Sequence, residues 1–241
     1  MRGSLPSTSP SSVDAAAQVF VDDLAAPMVG GDDAHHLVDV LRLRPGEPVI
    51  AADGHGAWCR CRIAARDRRA SGLLEVDGPV VVSPRPDPPV TVAFAPVKGD
   101  RPEWVVQKLT ELGVDTIQPL RTLRSVVRWD GERQARSIER LRRVAREAAS
   151  QSRRAWLPVV PDVVAVSELD GAALAEPGGG ALTLAHPVVA IGPEGGWDPS
   201  ELEQAAATVG LGDTVLRAET AAVTAGALLC GLRAGTVRPA I

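Results

Sequence analysis

The stretch IGPEGGWDPSE, residues 191–201, contains the end of an apolar strand, a glycine turn and the start of a helix. Asp198 is a residue type favoured at a helix N-cap, Pro199 suits the first helical position, and Glu201 stands where a capping box places its carboxylate. A strand that runs directly into a helix is typical of an α/β fold, whose ligands bind at the carboxyl edge of the sheet. The stretch therefore predicts a parallel sheet with a ligand site beside this turn.

The chemistry of the turn narrows the kind of ligand. Glu194 places a negative charge inside it, and neither a Walker lysine nor the glycine spacing of dinucleotide-binding loops is present. A cationic or neutral ligand therefore suits the turn better than a phosphate. The alternative at this point is a tight, capped turn that binds nothing.

A second stretch of the same kind is LGDTVLRAETA, residues 211–221. Its apolar part predicts a strand at 214–216 that ends at Arg217 and runs into a helix. Glu219 stands in the first turn of that helix, where the helix dipole favours an anion. The alternative is that Arg217 and Glu219 form an ordinary surface ion pair.

From residue 90 up to these two stretches, predicted strands alternate with predicted helices. Apolar runs predict strands at 91–95, 116–120, 181–185 and 188–191, and apolar periodicity predicts helices at 103–112 and 132–152. Further helices are expected after Asp198 and after Glu219. This alternation predicts an α/β domain with a parallel sheet over 90–241.

The N-terminal third has a different pattern. Residues 1–12 are rich in Ser and Pro and predict a flexible tail, whereas short apolar runs broken by turn signals over 13–83 predict a small β-barrel. Its strands are expected at 49–51, 57–63 and 73–76, with a short helix at 33–41. Four prolines within 84–89 indicate a linker between the two domains.

Charge is segregated along the chain. The 241 residues include 26 basic and 30 acidic side chains, a formal net charge of -4, yet the segment 121–154 contains eleven arginines and four acids. Arg136, Arg140 and Arg143 share one face of the predicted helix 132–152, which indicates a ridge for RNA phosphates; the alternative is a solvated helix face. Aromatic residues make up only 3% of the chain, which argues against a base-stacking platform.

Metal and membrane roles find little support in the sequence. His55, Cys59 and Cys61 are close in sequence, but strand alternation makes both thiols packing residues, so no metal is expected. Three cysteines suit a reducing compartment, and the apolar run 221–232 is too short to span a bilayer. A cytoplasmic location is the resulting expectation.

Several stretches, taken in order, resemble the ribosomal RNA small subunit methyltransferase E family. They are KGDR at 98–101, EWVVQKLTELGV at 103–114, Pro119, RS at 124–125, residues 147–153, GPEGG at 192–196 and VLRAETA at 215–221, with RLRPGE at 42–47 and DG at 53–54 in the N-terminal domain. The resemblance covers nearly the whole chain.

This resemblance implies a SPOUT methyltransferase with a C-terminal trefoil knot and a small N-terminal PUA-like β-barrel. It also implies a homodimer that binds S-adenosylmethionine in the knot and methylates N3 of a uridine in 16S rRNA of the small ribosomal subunit. The knot loops and neighbouring glycines are then expected to bind the cofactor: Leu184, His186, Gly192, Gly195, Gly196, Leu211, Gly212, Val215, Leu216 and Thr220.

The expected reaction assigns further residues. The N3 proton must leave, which a carboxylate could accept, and an arginine could stabilise charge on the uracil oxygens, so Glu194 and Arg217 are the expected catalytic residues. RNA is expected to contact basic side chains in both domains: Arg42, Arg44, Lys98, Arg101, Arg124, Arg136, Arg140, Arg143, Arg153 and Arg154.

Two other functions stay open on the sequence alone. One is a non-catalytic RNA-binding protein of ribosome assembly, and the other is a SPOUT methyltransferase acting on another RNA. The small residues of the last helix, Ala221, Ala222, Ala225, Gly226 and Ala227, predict a close helix contact in the homodimer, with packing inside one chain as the alternative.

Overall fold

The computed structural model describes residues 9–64, 74–97, 99, 101–127 and 129–238. The chain forms two compact units. The first unit contains the described residues up to Arg85 together with 149–157, and the second contains those of 86–148 and 158–238. Residues 149–157 thus belong to the first unit, although the sequence pattern had assigned them to the second domain.

The first unit is built on a five-stranded sheet. Its strands are β1 (Ala17–Phe20), β2 (Pro48–Ala52), β3 (Ala57–Ile63), β4 (Leu74–Val76) and β5 (Val81–Val82). They lie in the order β1-β2-β3-β4, with β5 also paired to β3; β1 and β2 are parallel and the other pairs antiparallel. Helix α1 (Gly31–His35) continues as a wider π-helical turn over His36–Val40, so the predicted helix begins two residues earlier than expected and is not uniform.

The two cysteines of β3 are packing residues of this sheet. Cys59 and Cys61 are both fully buried on one face, and their register partners on β2, Ala51 and Val49, are buried as well. Hydrogen bonding to the Cys59 sulfur and burial raise the pKa of the Cys61 thiol, which is therefore protonated at neutral pH. No cluster of His, Cys, Asp and Glu in the described part of the chain has the arrangement of a metal site.

The second unit has the predicted parallel sheet. Its strands are β6 (Thr91–Phe94), β7 (Thr116–Arg121), β8 (Val164–Ala165), β9 (Ala173–Gly180), β10 (Val188–Ile191) and β11 (Ala207–Val209). They lie in the order β11-β9-β10-β6-β7-β8, and all pairs are parallel. The helices are α2 (Arg101–Leu112), α3 (Gly131–Gln151), α4 (Pro199–Glu203) and α5 (Ala218–Arg233). The α/β class is confirmed.

Two predicted strands of this sheet were wrong. Residues 181–185 follow the true strand β9, whose sequence ALAEPGGG contains a proline and three glycines that normally indicate a turn. A glycine is required there because a Cβ on Gly179 would lie 2.6 Å from the backbone of Val209. Residues 214–216 form a loop in which Val215 is 84% exposed. The strand lies earlier in the chain, as β11 over Ala207–Val209.

The small residues of α5 pack inside the chain. Ala221, Ala222, Ala225 and Gly226 are all buried, and a Cβ on Gly226 would lie 2.6 Å from a methyl group of Leu109 on α2. Only Ala227 of the five residues assigned to a dimer contact is exposed. The close helix contact they predicted therefore joins α5 to α2 in the same chain. None of the helices described here is long and apolar enough to cross a membrane.

Candidate functional site

A cavity of about 450 Å³ lies at the carboxyl ends of three neighbouring strands, β9, β10 and β11. Its walls come from three segments. They are Ala175, Glu176 and Pro177 within β9; Ile191 at the end of β10 with Gly192, Pro193, Glu194, Gly196 and Trp197 after it; and, after β11, Leu211, Gly212, Thr214, Val215, Leu216, Arg217, Ala218 and Ala221. The position agrees with the edge at which open parallel sheets bind ligands.

Trp197 ties two of these segments together. Its ring is 4% exposed, and its Nε1–H donates to the carbonyl oxygen of Ala175 at 2.9 Å. Gly192 lies directly against the ring, since a Cβ at that position would be 3.0 Å from Trp197 Cε2. Gly196 adopts φ +72°, a conformation that glycine reaches without strain. The turn at the end of β10 is therefore held against β9.

The predicted helix start is confirmed by its hydrogen bonds. The side chain of Asp198 accepts from the backbone N–H of Ser200 at 3.1 Å, and Glu201 Oε2 accepts from the N–H of Asp198 at 2.9 Å, which completes a capping box. Hydrogen bonds from the hydroxyl and the N–H of Ser200 lower the pKa of Asp198, so this carboxylate is charged at neutral pH.

Glu201 has a second partner that the sequence did not indicate. Its other oxygen, Oε1, accepts from the backbone N–H of Leu123 at 2.9 Å, and the residue is only 7% exposed. One buried carboxylate therefore joins the start of α4 to the loop that follows β7. Because that loop includes Arg124, Glu201 helps to place a basic side chain beside the turn.

We expect Glu201→Gln to lower the free energy of unfolding by about 1–3 kcal/mol, because the amide keeps one acceptor and turns an NH₂ group toward a buried N–H. Urea denaturation followed by circular dichroism measures the change. Glu203→Gln, an exposed position on the same helix, is the matched control and should stay within about 0.5 kcal/mol of the parent. Equal effects of the two substitutions would contradict the assigned role of Glu201.

Arg217 and Glu219 do not form the surface pair considered from the sequence. Glu219 Oε1 lies 3.6 Å from Nη1 of Arg101, whereas Arg217 is exposed and has no ion pair within the described residues. Arg217 precedes the first residue of α5 and lines the cavity. Its guanidinium is therefore available to a ligand.

The cavity contains both expected catalytic residues and six of the ten expected cofactor residues. Glu194 and Arg217 line it, as do Gly192, Gly196, Leu211, Gly212, Val215 and Leu216, whereas Leu184, His186, Gly195 and Thr220 are not among its lining residues. The sequence did not indicate the wall from β9, Ala175–Pro177, because strand β9 was itself assigned to the wrong residues. Trp197 lies within the stretch 191–201, where the sequence indicated a turn but no contact with β9.

The expected RNA contacts of the second unit differ in how far their charge is compensated. Arg124 lies 3.6 Å from Asp198 and donates to the carbonyl oxygen of Gly195 at 3.4 Å. On α3, Arg136 pairs with Glu132 at 3.2 Å and Arg140 with Glu103 at 2.9 Å. Arg143 is exposed, with no ion pair in the described part of the chain. Lys98 lies outside the described residues.

The expected RNA contacts of the first unit also divide into two kinds. Arg42 and Arg44 are exposed, and Arg42 adopts φ +55°. Arg153 and Arg154 are half-buried, and the guanidinium of Arg153 donates to the carbonyl oxygens of Val13, at 2.8 Å, and Ala15. Arg153 therefore ties residues 149–157 to the start of the chain, a role that the sequence did not indicate.

Comparisons with known proteins identify the family of the chain. The family model described as an RNA methyltransferase domain matches residues 84–230, and the model of an RNA methyltransferase PUA domain matches 29–71. The ribosomal RNA small subunit methyltransferase E of Mycobacterium bovis is 36% identical over 235 residues, covering 86% of this chain and 88% of that protein. The protein of that name from Bacillus subtilis is 31% identical, covering 80% and 85%.

Solved structures give the same result. A probable rRNA methyltransferase from Porphyromonas gingivalis superposes with a TM-score of 0.77 at 29% identity, covering 92% of this chain and all of that one. The ribosomal RNA small subunit methyltransferase E of Neisseria gonorrhoeae bound to S-adenosylmethionine superposes with a TM-score of 0.74 at 27% identity, covering 88% and 95%. The chain is therefore a member of the ribosomal RNA small subunit methyltransferase E family.

Proposed function

We propose that the chain transfers a methyl group from S-adenosylmethionine to N3 of a uridine in the 16S rRNA of the small ribosomal subunit. The observation that carries this proposal is the cavity at the carboxyl ends of β9, β10 and β11, lined by both sequence motifs of the resemblance. The S-adenosylmethionine-bound relative from Neisseria gonorrhoeae supports the choice of cofactor.

The residues of the cavity fit this cofactor. A volume of about 450 Å³ is in the range of small-molecule sites. Leu211 and Leu216 supply apolar surface, and the carboxylates of Glu176 and Glu194 suit a ligand with a positive sulfonium. When bound, S-adenosylmethionine supplies an electrophilic methyl group. The assignment of Leu184, His186, Gly195 and Thr220 to the same site stays a prediction from the resemblance.

The roles of Glu194 and Arg217 follow from what the reaction requires. Loss of the N3 proton leaves negative charge on the uracil oxygens O2 and O4. Glu194 accepts this proton, and the guanidinium of Arg217 stabilises the charge by donating to one of the oxygens. Both residues line the cavity and are exposed, which supports these roles, since RNA must reach them from outside.

We also propose a trefoil knot of the SPOUT type, formed by the loops 184–186, 192–196 and 211–221, and a homodimer in the cytoplasm. The knot rests on the family resemblance, and the sheet order β11-β9-β10-β6 accommodates it. The homodimer rests on the family resemblance, since the small residues of α5 are used within the chain. Light scattering at micromolar concentration gives the mass, and a monomeric mass would contradict the dimer.

Calorimetry with S-adenosylmethionine tests the cofactor site. We expect the parent chain to bind and Gly192→Val to bind about 10-fold or more weakly, because the added side chain must displace the Trp197 ring. Gly180→Ala is the matched control, since its Cβ would meet only the carbonyl oxygen of Thr208, at 3.6 Å. Absence of binding by the parent, or equal affinity of Gly192→Val, would contradict the site.

A salt titration tests the proposed RNA ridge on α3. Replacing Arg136 and Arg143 by Gln should flatten the dependence of log affinity for small ribosomal subunits on log salt concentration by about one counterion per lost contact. Filter binding over a series of KCl concentrations measures the slope, with Glu139→Gln on the same helix as the control. An unchanged slope would mean that this face of α3 is only solvated.

A further inference from the structure

Two buried carboxylates of the second unit have no part in the reaction proposed above. Glu103 stands in the first turn of α2 and Glu219 in the first turn of α5, and their side chains are only 19% and 14% exposed. In each of them Oε2 is fully buried and accepts no hydrogen bond from the described residues. A buried carboxylate oxygen without a donor costs free energy, which the helix dipole offsets only in part. The stability of the fold therefore does not account for these two residues.

Each carboxylate has an exposed arginine as its partner. Glu219 Oε1 lies 3.6 Å from Nη1 of Arg101, and Glu103 Oε1 lies 2.9 Å from Nε of Arg140. A guanidinium carries five N–H donors, so an arginine that is held by one carboxylate oxygen can still donate to another anion. The two ion pairs therefore present guanidinium groups that are held from below and open to a ligand.

The starts of α2 and α5 lie together because the two helices run side by side in the same direction. Gly226 of α5 packs against Leu109 of α2, where a Cβ on the glycine would lie 2.6 Å from a methyl group. At the other end of this pair of helices, Arg233 donates to the carbonyl oxygen of Gly113 at 2.8 Å. The first turns of both helices are thus neighbours on one side of the second unit.

Three exposed arginines follow one another from α3 to the cofactor cavity. Arg140 on α3 reaches the start of α2, where Arg101 in turn reaches the start of α5. Arg217 stands two residues before Glu219 and lines the cavity. We call Arg140, Arg101 and Arg217 the arginine strip. It connects the proposed RNA ridge on α3 with the proposed methyl-transfer site.

We propose that Glu103 and Glu219 are positioning residues, which hold Arg140 and Arg101 for phosphates of the rRNA strand that leads to the target uridine. This inference rests on the proposed function. A free arginine loses side-chain entropy when it binds a phosphate, whereas a guanidinium already held by a buried carboxylate has lost that entropy on folding. The two carboxylates therefore strengthen RNA binding, although their charge has the same sign as that of the phosphates.

The direction of one effect tests this inference. Removal of a carboxylate from a surface that binds RNA ordinarily strengthens binding, because the phosphates are repelled less. We expect the opposite for Glu219→Gln: its Kd for small ribosomal subunits, measured by filter binding, and its KM in methylation should both rise about 10-fold, with kcat within about twofold of the parent. Glu103→Gln should act in the same way through Arg140.

Glu132→Gln is the matched control. Glu132 also pairs with an arginine of the ridge, Arg136, at 3.2 Å, but its side chain is 90% exposed and cannot hold its partner rigidly. The Kd of Glu132→Gln for small subunits should therefore equal that of the parent or fall below it.

A double variant separates positioning from a structural role. If Glu219 acts through Arg101, Glu219→Gln combined with Arg101→Gln should weaken binding no more than Arg101→Gln alone. The urea midpoint of Glu219→Gln should be no lower than that of the parent, because the substitution removes a buried charge without a second partner. Calorimetry with S-adenosylmethionine should give the parent Kd within about threefold.

Three results would overturn the inference. They are a Kd of Glu219→Gln for small subunits at or below that of the parent, an effect that adds fully to that of Arg101→Gln, and weaker binding of S-adenosylmethionine in place of weaker binding of RNA. Each of them leaves the proposed function intact as long as the parent methylates small subunits. Failure of the parent to methylate them overturns the proposed function and the inference with it.

Discussion

Replacing Arg217 by Gln is expected to slow methyl transfer about 100-fold, because it removes the cation that would stabilise charge on the uracil oxygens. Arg217 lines the cofactor cavity, is exposed, and has no ion pair in the described part of the chain. Its removal therefore leaves no buried partner behind, and the folded state should be little affected. Single-turnover methylation of small subunits measures the rate of the chemical step.

The control for this substitution is cofactor binding. Calorimetry with S-adenosylmethionine should give a Kd for Arg217→Gln within about threefold of the parent, since the proposed contact is made to the uracil and not to the cofactor. Arg217→Lys keeps the charge but loses the paired N–H donors of the guanidinium, so its methylation rate should lie between those of the parent and Arg217→Gln. A parent-like rate for Arg217→Gln would remove Arg217 from the mechanism.

Replacing Arg233 by Met is expected to lower the free energy of unfolding by about 3 kcal/mol, because it leaves a buried carboxylate without its counter-charge. Arg233 pairs with Asp115, and the two side chains are 12% and 11% exposed. The same guanidinium donates to the carbonyl oxygens of Gly113 at 2.8 Å and Pro88 at 3.2 Å. Arg233 thus connects the end of α5 to the segments before β6 and β7.

Urea denaturation measures this loss, and a second ion pair of the same unit provides the matched control. Lys108 and Glu111 pair at 2.8 Å on α2, but their side chains are 33% and 36% exposed. Lys108→Met should therefore cost less than about 1 kcal/mol. If the two substitutions lower the free energy of unfolding equally, burial does not explain the contribution of the Arg233–Asp115 pair to stability.

Local signals in the sequence predicted the turn after β10 correctly. Asp198, Pro199 and Glu201 stand at fixed spacing, and each has a preference that depends only on its neighbours along the chain. The helices α2 and α3 were predicted from apolar periodicity, which is a local signal as well. These elements need no knowledge of distant residues.

The features that the sequence did not predict depend on distant residues. β9 carries Pro177 and three glycines, and it forms a strand because β10 and β11 pair with it and because Gly179 must fit against the Val209 backbone. The assignment of 149–157 to the first unit depends on contacts such as Arg153 to Val13, which lie 140 residues apart. No local pattern indicates either.

The contrast between local signals and distant contacts also explains which walls of the cavity were predicted from the sequence. The two walls that follow β10 and β11 were predicted because each carries a motif, GPEGG or VLRAETA. The wall from β9 was not predicted. The hydrogen bond from the N–H of Leu123 to Glu201 was not predicted either, because a carboxylate that caps a helix with one oxygen can accept with the other from any donor the fold brings near.

The most direct test of the account is the chemical identity of the product. Small ribosomal subunits that lack the modification are incubated with the protein and S-adenosylmethionine, and the 16S rRNA is digested to nucleosides for mass spectrometry against authentic standards. We expect one new N3-methyluridine per 16S rRNA, and a much smaller yield with Arg217→Gln. A methyl group on a ribose oxygen or on a base other than uracil, or no methyl group at all, would contradict it.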